Sequence, residues 1–232
     1  MTFDAAGTLI VPAEPVAHTY ARLAAQAGLV VDRATIGAAF VQAVTAAPPL
    51  AFGHPPPRRV AALERAWWAD VVARTLGVRQ GHPAFAACFD ALYDHYTHAA
   101  AWTVVRGART VLATLRRRRL AVGVISNFDR RLPGLLAELR LAAMLDTAVT
   151  SVDAGYAKPA PEIFRRAFRT LGVPAAAVLH VGDDPHADGA GALGAGAQAA
   201  LVGLRRDVPG ATRLASLAQV PALAARLSRP AR

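Results

Sequence analysis

Lysine is almost missing from this chain: of 26 basic residues, Lys158 alone is a lysine and the rest are arginines. Cysteine is as scarce. Cys88 stands alone, which excludes an internal disulfide framework and suits a reducing cytoplasm. It falls in a helical pattern with Phe85, Phe89 and Leu92, where a small buried filler is expected rather than a nucleophile. No run of about 18 strongly apolar residues occurs, and no charged-then-apolar leader opens the sequence. Neither a membrane span nor a secretory signal is therefore expected. The uncharged stretch 189–204 is mostly glycine and alanine and reads as a close-packed helix, a turn and a short strand. Charged residues make up only 18% against 54% hydrophobic, which excludes disorder and supplies a core. These bounds describe a soluble, cytoplasmic protein, monomeric or homodimeric.

Acids are outnumbered, 16 against 26 bases, for a formal charge of +10. The arginines are nevertheless spread along the chain, and only Arg116 to Arg119 form a run. That run closes a helical pattern, where cations complement the helix dipole. No specific nucleic-acid partner is expected; a small anionic substrate is.

What is present is an alternation. Helical patterns at 108–118, 132–139, 161–171 and 188–194 alternate with apolar strands at 120–125, 147–151, 177–181 and 199–203. A further strand is implied at Thr2 and Phe3. Continuous apolar strands between helices indicate a parallel sheet covered on both faces. Residues 14–98 differ, with helical stretches at 14–27, 33–45, 60–76 and 84–98 and prolines at 48–49 and 55–57. Trp67 and Trp68 are adjacent on one of these helices, so they point about 100° apart. Helix packing is their expected role. The predicted class is α/β: a Rossmann-like parallel-sheet core from residues 1–11 and 100–232, with an α-helical insert at 12–99. Only three residues precede Asp4, so either the first strand is shortened or the chain begins upstream.

In doubly wound sheets, ligands bind beyond the carboxyl ends of the strands. Four such ends carry polar residues here: Asp4 in Phe3-Asp4-Ala5-Ala6-Gly7-Thr8, Ser126 and Asn127 in the next, Lys158 after the third, and Asp183, Asp184 and Asp188 in the fourth. Each alone reads as a turn or helix cap. Together they predict that Asp4 and Asp183 converge on a hard cation such as Mg²⁺. Lys158 would offset their repulsion and bind an anionic group, to which Ser126 would donate. A guanidinium is broader than an ammonium, which explains a position that keeps its lysine.

At these residues the chain resembles the haloacid dehalogenase superfamily. Its four motifs match, in order, Asp4 through Thr8, Ser126-Asn127, Lys158-Pro159 and Gly182-Asp183 through Asp188. The helical insert matches the family's cap. The wording around Ser126-Asn127-Phe128-Asp129 and His180-Val181-Gly182-Asp183 looks most like the rhythmically-expressed-gene-two-like subgroup. The resemblance implies that Asp4 is the nucleophile, forming an aspartyl intermediate. It implies that Asp4, the Ala6 carbonyl and Asp183 hold Mg²⁺, with Asp188 supporting the metal or Lys158 and Asp184 as a second candidate. Ser126 and Lys158 would hold the transferred group, with Thr8 and Asn127 binding substrate.

Ala6 departs from the pattern. Phosphatases of the family usually place an Asp there as general acid and base, worth roughly 10²–10⁴-fold. Three readings follow. A 2-haloacid dehalogenase needs no such Asp, but by resemblance it lacks the acidic fourth motif and carries a Tyr at this position. A phosphonatase requires a Schiff-base lysine from the cap, and 12–99 contains none. A Mg²⁺-dependent phosphoryl hydrolase that is slow, handles good leaving groups, or borrows an acid from His18, His54, His95 or His98 fits best. A catalytically impaired binding protein is the further alternative.

Overall fold

The computed structural model describes residues 1–204 and 207–227. In chain order these form β1 (Thr2–Phe3), β2 (Ile10–Pro12), α1 (Val16–Gln26), α2 (Arg33–Ala46), α3 (Pro57–Leu76) and α4 (Phe85–His95). They continue as β3 (Trp102–Val104), α5 (Ala108–Arg117), β4 (Gly123–Ser126), α6 (Leu132–Glu138), β5 (Thr147–Thr150), α7 (Ser151–Ala154) and α8 (Pro161–Leu171). The last are β6 (Leu179–Gly182), α9 (Gly191–Gly194), β7 (Gln198–Val202), β8 (Ala211–Leu214) and α10 (Val220–Leu227). Six strands pair in the order β5-β4-β1-β6-β7-β8, all parallel, while β2 and β3 form a separate two-stranded ribbon. This is an α/β fold of Rossmann type. No helix among the described residues is long and apolar enough to cross a membrane.

Two compact units divide the chain, Met1–Val11 with Val104–Arg232, and Pro12–Thr103. In the first, β4 and β6 are buried along their whole length, as strands covered on both faces must be. β1 is only two residues long yet central, pairing β4 on one side and β6 on the other. Its pairing continues one residue further, since Asp4 N–H donates to the Val181 carbonyl at 2.8 Å.

Of the boundaries that depart from the sequence reading, three have a clear local reason. The strand expected from 120 starts at Gly123, because the Asp146 carboxylate takes the Val122 N–H at 2.8 Å. The strand expected to reach Ser151 stops at Thr150, whose hydroxyl caps the short α7 by accepting from Asp153 N–H. The helix expected over 188–194 is a π turn at Pro185–Ala190 followed by α9. There the Asp184 carbonyl accepts from both Asp188 and Gly189, which widens the turn. Beyond the last expected strand lie β8 and α10, which the sequence reading missed. The Arg116–Arg119 run is used locally: Arg116 pairs with Asp146, Arg117 with Thr114 and Arg118 with the Pro221 carbonyl.

The second unit is α1–α4 around Tyr20, Leu23, Ile36, Val72, Leu76, Phe85, Cys88, Phe89 and Leu92. Burying each large side chain contributes about 1.5–3 kcal/mol relative to exposure. Asp32 caps α2 by accepting from Ala34 N–H, and Pro57 opens α3 where its missing donor costs nothing. Gly77 ends α3 at φ 65°, a left-handed conformation that glycine adopts without strain. Trp68 packs on this core, while Trp67 turns edge-on to it and donates to the Pro48 carbonyl at 2.7 Å.

Candidate active site

The carboxyl ends of β1, β4 and β6 lie side by side in the sheet, so the residues that follow them meet at one edge. Lys158 is the hub. Its ammonium donates to Asp4 Oδ1 and Asp188 Oδ1, each at 2.6 Å, and all three residues are buried. Asp4, Asp183 and Asp188 each offer an oxygen within 4.8 Å of the others, a spacing one hard cation can bridge.

Asp188 is saturated. Its Oδ1 also accepts from His180 Nε2 at 3.0 Å, and its Oδ2 accepts from the backbone N–H groups of Asp183 and Asp184 at 3.1 and 3.0 Å. Space is equally committed. A Cβ on Gly182 would stand 2.1 Å from the Asp188 carboxylate, and one on Gly7 2.4 Å from that of Asp183.

Burial pushes the Asp4 carboxyl from 3.8 up to about 6, with Asp188 and Asp183 adding like charge and Lys158 opposing. Burial and Asp188 likewise raise Asp183. For Asp188 burial acts upward, but the Lys158 ammonium and the His180 bond outweigh it and hold the group well below the usual range. Burial pulls Lys158 down, yet Asp4 and Asp188 more than offset it. We read the cluster as one ammonium shared by two carboxylates, with Asp188 the firmer anion.

Not every residue expected at the substrate faces outward. Thr8 donates its hydroxyl to Asp183 Oδ1 at 2.8 Å and is 1% exposed, so it orients that carboxylate instead. Asn127 clamps the Lys158 backbone: its amide donates to the Lys158 carbonyl at 2.9 Å and its oxygen accepts the Lys158 N–H at 2.7 Å. Both hydrogen-bond to protein groups, where the sequence reading expected contacts with substrate. Asp184 caps the π turn, accepting from His186 and Ala187 N–H, and lies outside the acidic cluster. Ser126 ends β4, buried, and Ala6 is exposed beyond Asp4. Asp129, fully buried, pairs with Arg131 at 2.7 Å and closes the loop after β4.

Sequence reading assigned no role to His180 or Thr2. The available signal was a histidine inside an otherwise apolar strand. Beside Asp183 a groove of about 840 Å³ is lined by Gly7, Thr8, Arg106, Gly203 and Ser216 among others.

A family profile described as haloacid dehalogenase-like hydrolase matches residues 1–196. The chain belongs to that family. It is 35% identical over 208 residues to human haloacid dehalogenase-like hydrolase domain-containing protein 3, covering 87% of this chain and 80% of the relative. The Drosophila melanogaster rhythmically expressed gene 2 protein is 32% identical over 146 residues, covering 59% and 56%. The crystal structure of a 2-haloacid dehalogenase from Pseudomonas syringae superposes with a TM-score of 0.66 at 25% identity, covering 98% of both chains. The family membership makes this chain a hydrolase.

Proposed function

We propose that this hydrolase is a Mg²⁺-dependent phosphoryl hydrolase that acts on small phosphorylated molecules through an aspartyl intermediate. The observation that carries the reading is the lone lysine held between Asp4 and Asp188, with Asp183 completing an acidic triad. The donor chemistry fits Mg²⁺: the carboxylates of Asp4 and Asp183 would hold it, with the Ala6 carbonyl as a further oxygen, while Asp188, its oxygens already taken, would support them. When bound, Mg²⁺ would neutralise charge on the transferred group.

The chain's own residues supply the rest. Asp4 Oδ1 is held by Lys158, which leaves Oδ2 to attack phosphorus and displace the leaving oxygen. Lys158 has a third N–H for the phosphoryl oxygens, and Ser126 adds a hydroxyl from β4. Thr8 and Asp188 keep Asp183 and Lys158 in place. Water then cleaves the aspartyl phosphate and restores Asp4. The leaving oxygen must find its proton elsewhere, because Ala6 has none to give; aryl and acyl phosphates, which leave unaided, are the favoured substrates. Arg106, in the groove beside Asp183, supplies a cation for an anionic remainder of the substrate.

A 2-haloacid dehalogenase is the second reading, favoured by the lack of an Asp at position 6, though its usual Tyr is lacking there too, and by the likeness to the Pseudomonas enzyme. Attack of Asp4 on carbon needs no proton donor at that position. The test is one panel: aryl, acyl and alkyl phosphates and 2-haloacids, each assayed with Mg²⁺ and with EDTA. Phosphate release that EDTA abolishes supports the hydrolase; halide release indifferent to EDTA supports the dehalogenase. Absence of both points to a catalytically impaired binding protein.

A further inference from the structure

We propose that His180 is a positioning residue: through Asp188 it fixes the Lys158 ammonium between the carboxylates, and Thr2 fixes the imidazole in turn. The activity arm of this inference rests on the phosphoryl-hydrolase reading; its spectroscopic arm does not.

His180 lies inside β6 and is 0% exposed, directly opposite Thr2 in the parallel register with β1. Its Nδ1 is 3.0 Å from Thr2 Oγ1 and its Nε2 3.0 Å from Asp188 Oδ1. The ring meets Phe164 edge-on at 5.1 Å. An imidazole buried in an apolar strand is costly unless both nitrogens find partners, and both do. Ionised Asp188 brings no proton, so Nε2 is the donor and Nδ1 accepts the Thr2 hydroxyl. One tautomer satisfies all three groups.

The consequence falls on Lys158. Asp188 Oδ2 is pinned by two backbone N–H groups, and Oδ1 by Lys158 and His180. Without His180, Oδ1 keeps only the Lys158 ammonium, so the carboxylate can pivot on its Oδ2 anchors and draw the ammonium from the position it shares with Asp4. The stem is long and its ammonium a point charge, so its aim depends on the groups that receive it. Thr2, His180, Asp188, Lys158 and Asp4 thus form one unbroken hydrogen-bonded line from the β1–β6 ladder to the nucleophile. A histidine that only filled space would show no such chain.

The sole lysine makes the test direct. Tag-free protein labelled with ¹⁵N at the lysine side chain yields one ammonium resonance, that of Lys158. His180→Leu is expected to shift or broaden it and to lower kcat about 10–100-fold, the usual cost of losing an outer hydrogen-bond partner, with KM unchanged. His180→Gln keeps an N–H aimed at Asp188 and is expected to restore both the resonance and most of kcat. An unchanged resonance in His180→Leu overturns the proposal, as does His180→Gln being no better than His180→Leu. If wild type hydrolyses no phosphate ester, the function reading fails while the resonance still decides this one. If His180→Leu does not fold, Thr2→Val is compared with Thr2→Ser: loss of the resonance in the first alone supports the line, and equal resonances overturn it.

Discussion

The two units bury different things. The sheet unit encloses Asp4, Lys158, Asp188, His180 and Asp129, with the hydroxyls of Thr2, Thr8, Ser126, Thr150 and Ser151. The helical unit is largely aromatic and aliphatic inside: among its described residues Glu64 is the one buried charged side chain, and buried Thr75 returns its hydroxyl to its own helix at the Val71 carbonyl. Helices satisfy their backbone internally, so a bundle core can be wholly apolar. A parallel sheet instead brings several strand ends to one edge, where charged groups survive burial only by pairing with one another. The cluster of buried charges paired with one another, Asp4, Lys158 and Asp188, therefore marks the chemistry, and it sits in the sheet unit.

The strongest attempt to break that contrast is Lys158→Arg. The ammonium stands 2.6 Å from two carboxylates in a space where even a Cβ on Gly182 would collide. A guanidinium does not fit between them, so turnover is expected to fall about 10³-fold or more with the fold retained. Lys158→Met removes the charge altogether and leaves carboxylates uncompensated, which is expected to destabilise the protein by about 3–5 kcal/mol. Circular dichroism and denaturant melts separate the two effects. An arginine variant as active as wild type would show the lone lysine to be an accident.

Ala6→Asp tests the contrast from the other side. Ala6 is exposed, so an aspartate there repacks nothing. Alkyl phosphates, whose leaving groups most need a proton, are expected to gain about 10²-fold, and aryl phosphates little. No gain on any ester would move the proton donor into the helical unit or favour carbon-centred chemistry. His18, His54 and His98 are exposed there, and His98 lies 3.4 Å from Asp94.

How much of this was legible beforehand follows from what each signal encodes. Strand periodicity and strand-end acids located Asp4, Lys158, Asp183 and Asp188, because those features are local in sequence. The direction of a side chain is not. The contacts of Thr8 with Asp183 and of Asn127 with the Lys158 backbone span 175 and 31 residues, and no local pattern announces them. His180 stands out as a histidine in an apolar strand, but its partner does not: Thr2 lies 178 residues away and is set by register alone. The π turn escaped because two carbonyl-sharing amides, not residue types, widen it. β8, half exposed and of mixed composition, carries no period to read.

The smallest expected effect concerns stability, and its sign is fixed by Asp4. Burial raises this carboxyl from 3.8 to about 6, so its proton is held more tightly in the folded chain than in the unfolded one. Its contribution is then complete below about pH 3.8 and is lost as pH rises through about 6. Asp188 runs oppositely: its depressed value contributes above the unfolded 3.8 and is lost only in stronger acid. Between these limits metal-free protein should lose Asp4's share toward neutrality, while Mg²⁺, which binds ionised carboxylates, should restore it. Saturating Mg²⁺ is thus expected to raise Tm by roughly 4–8 °C near pH 7.5 and by much less near pH 4.5. Asp4→Asn should flatten both the pH dependence and the Mg²⁺ response, whereas substitutions inside the apolar bundle should leave them intact. Scanning calorimetry with EDTA and with Mg²⁺ at the two pH values checks it. An equal Mg²⁺ shift at both would mean the ion binds away from Asp4, and the Asp4–Asp183 pair would lose its claim to be the metal site.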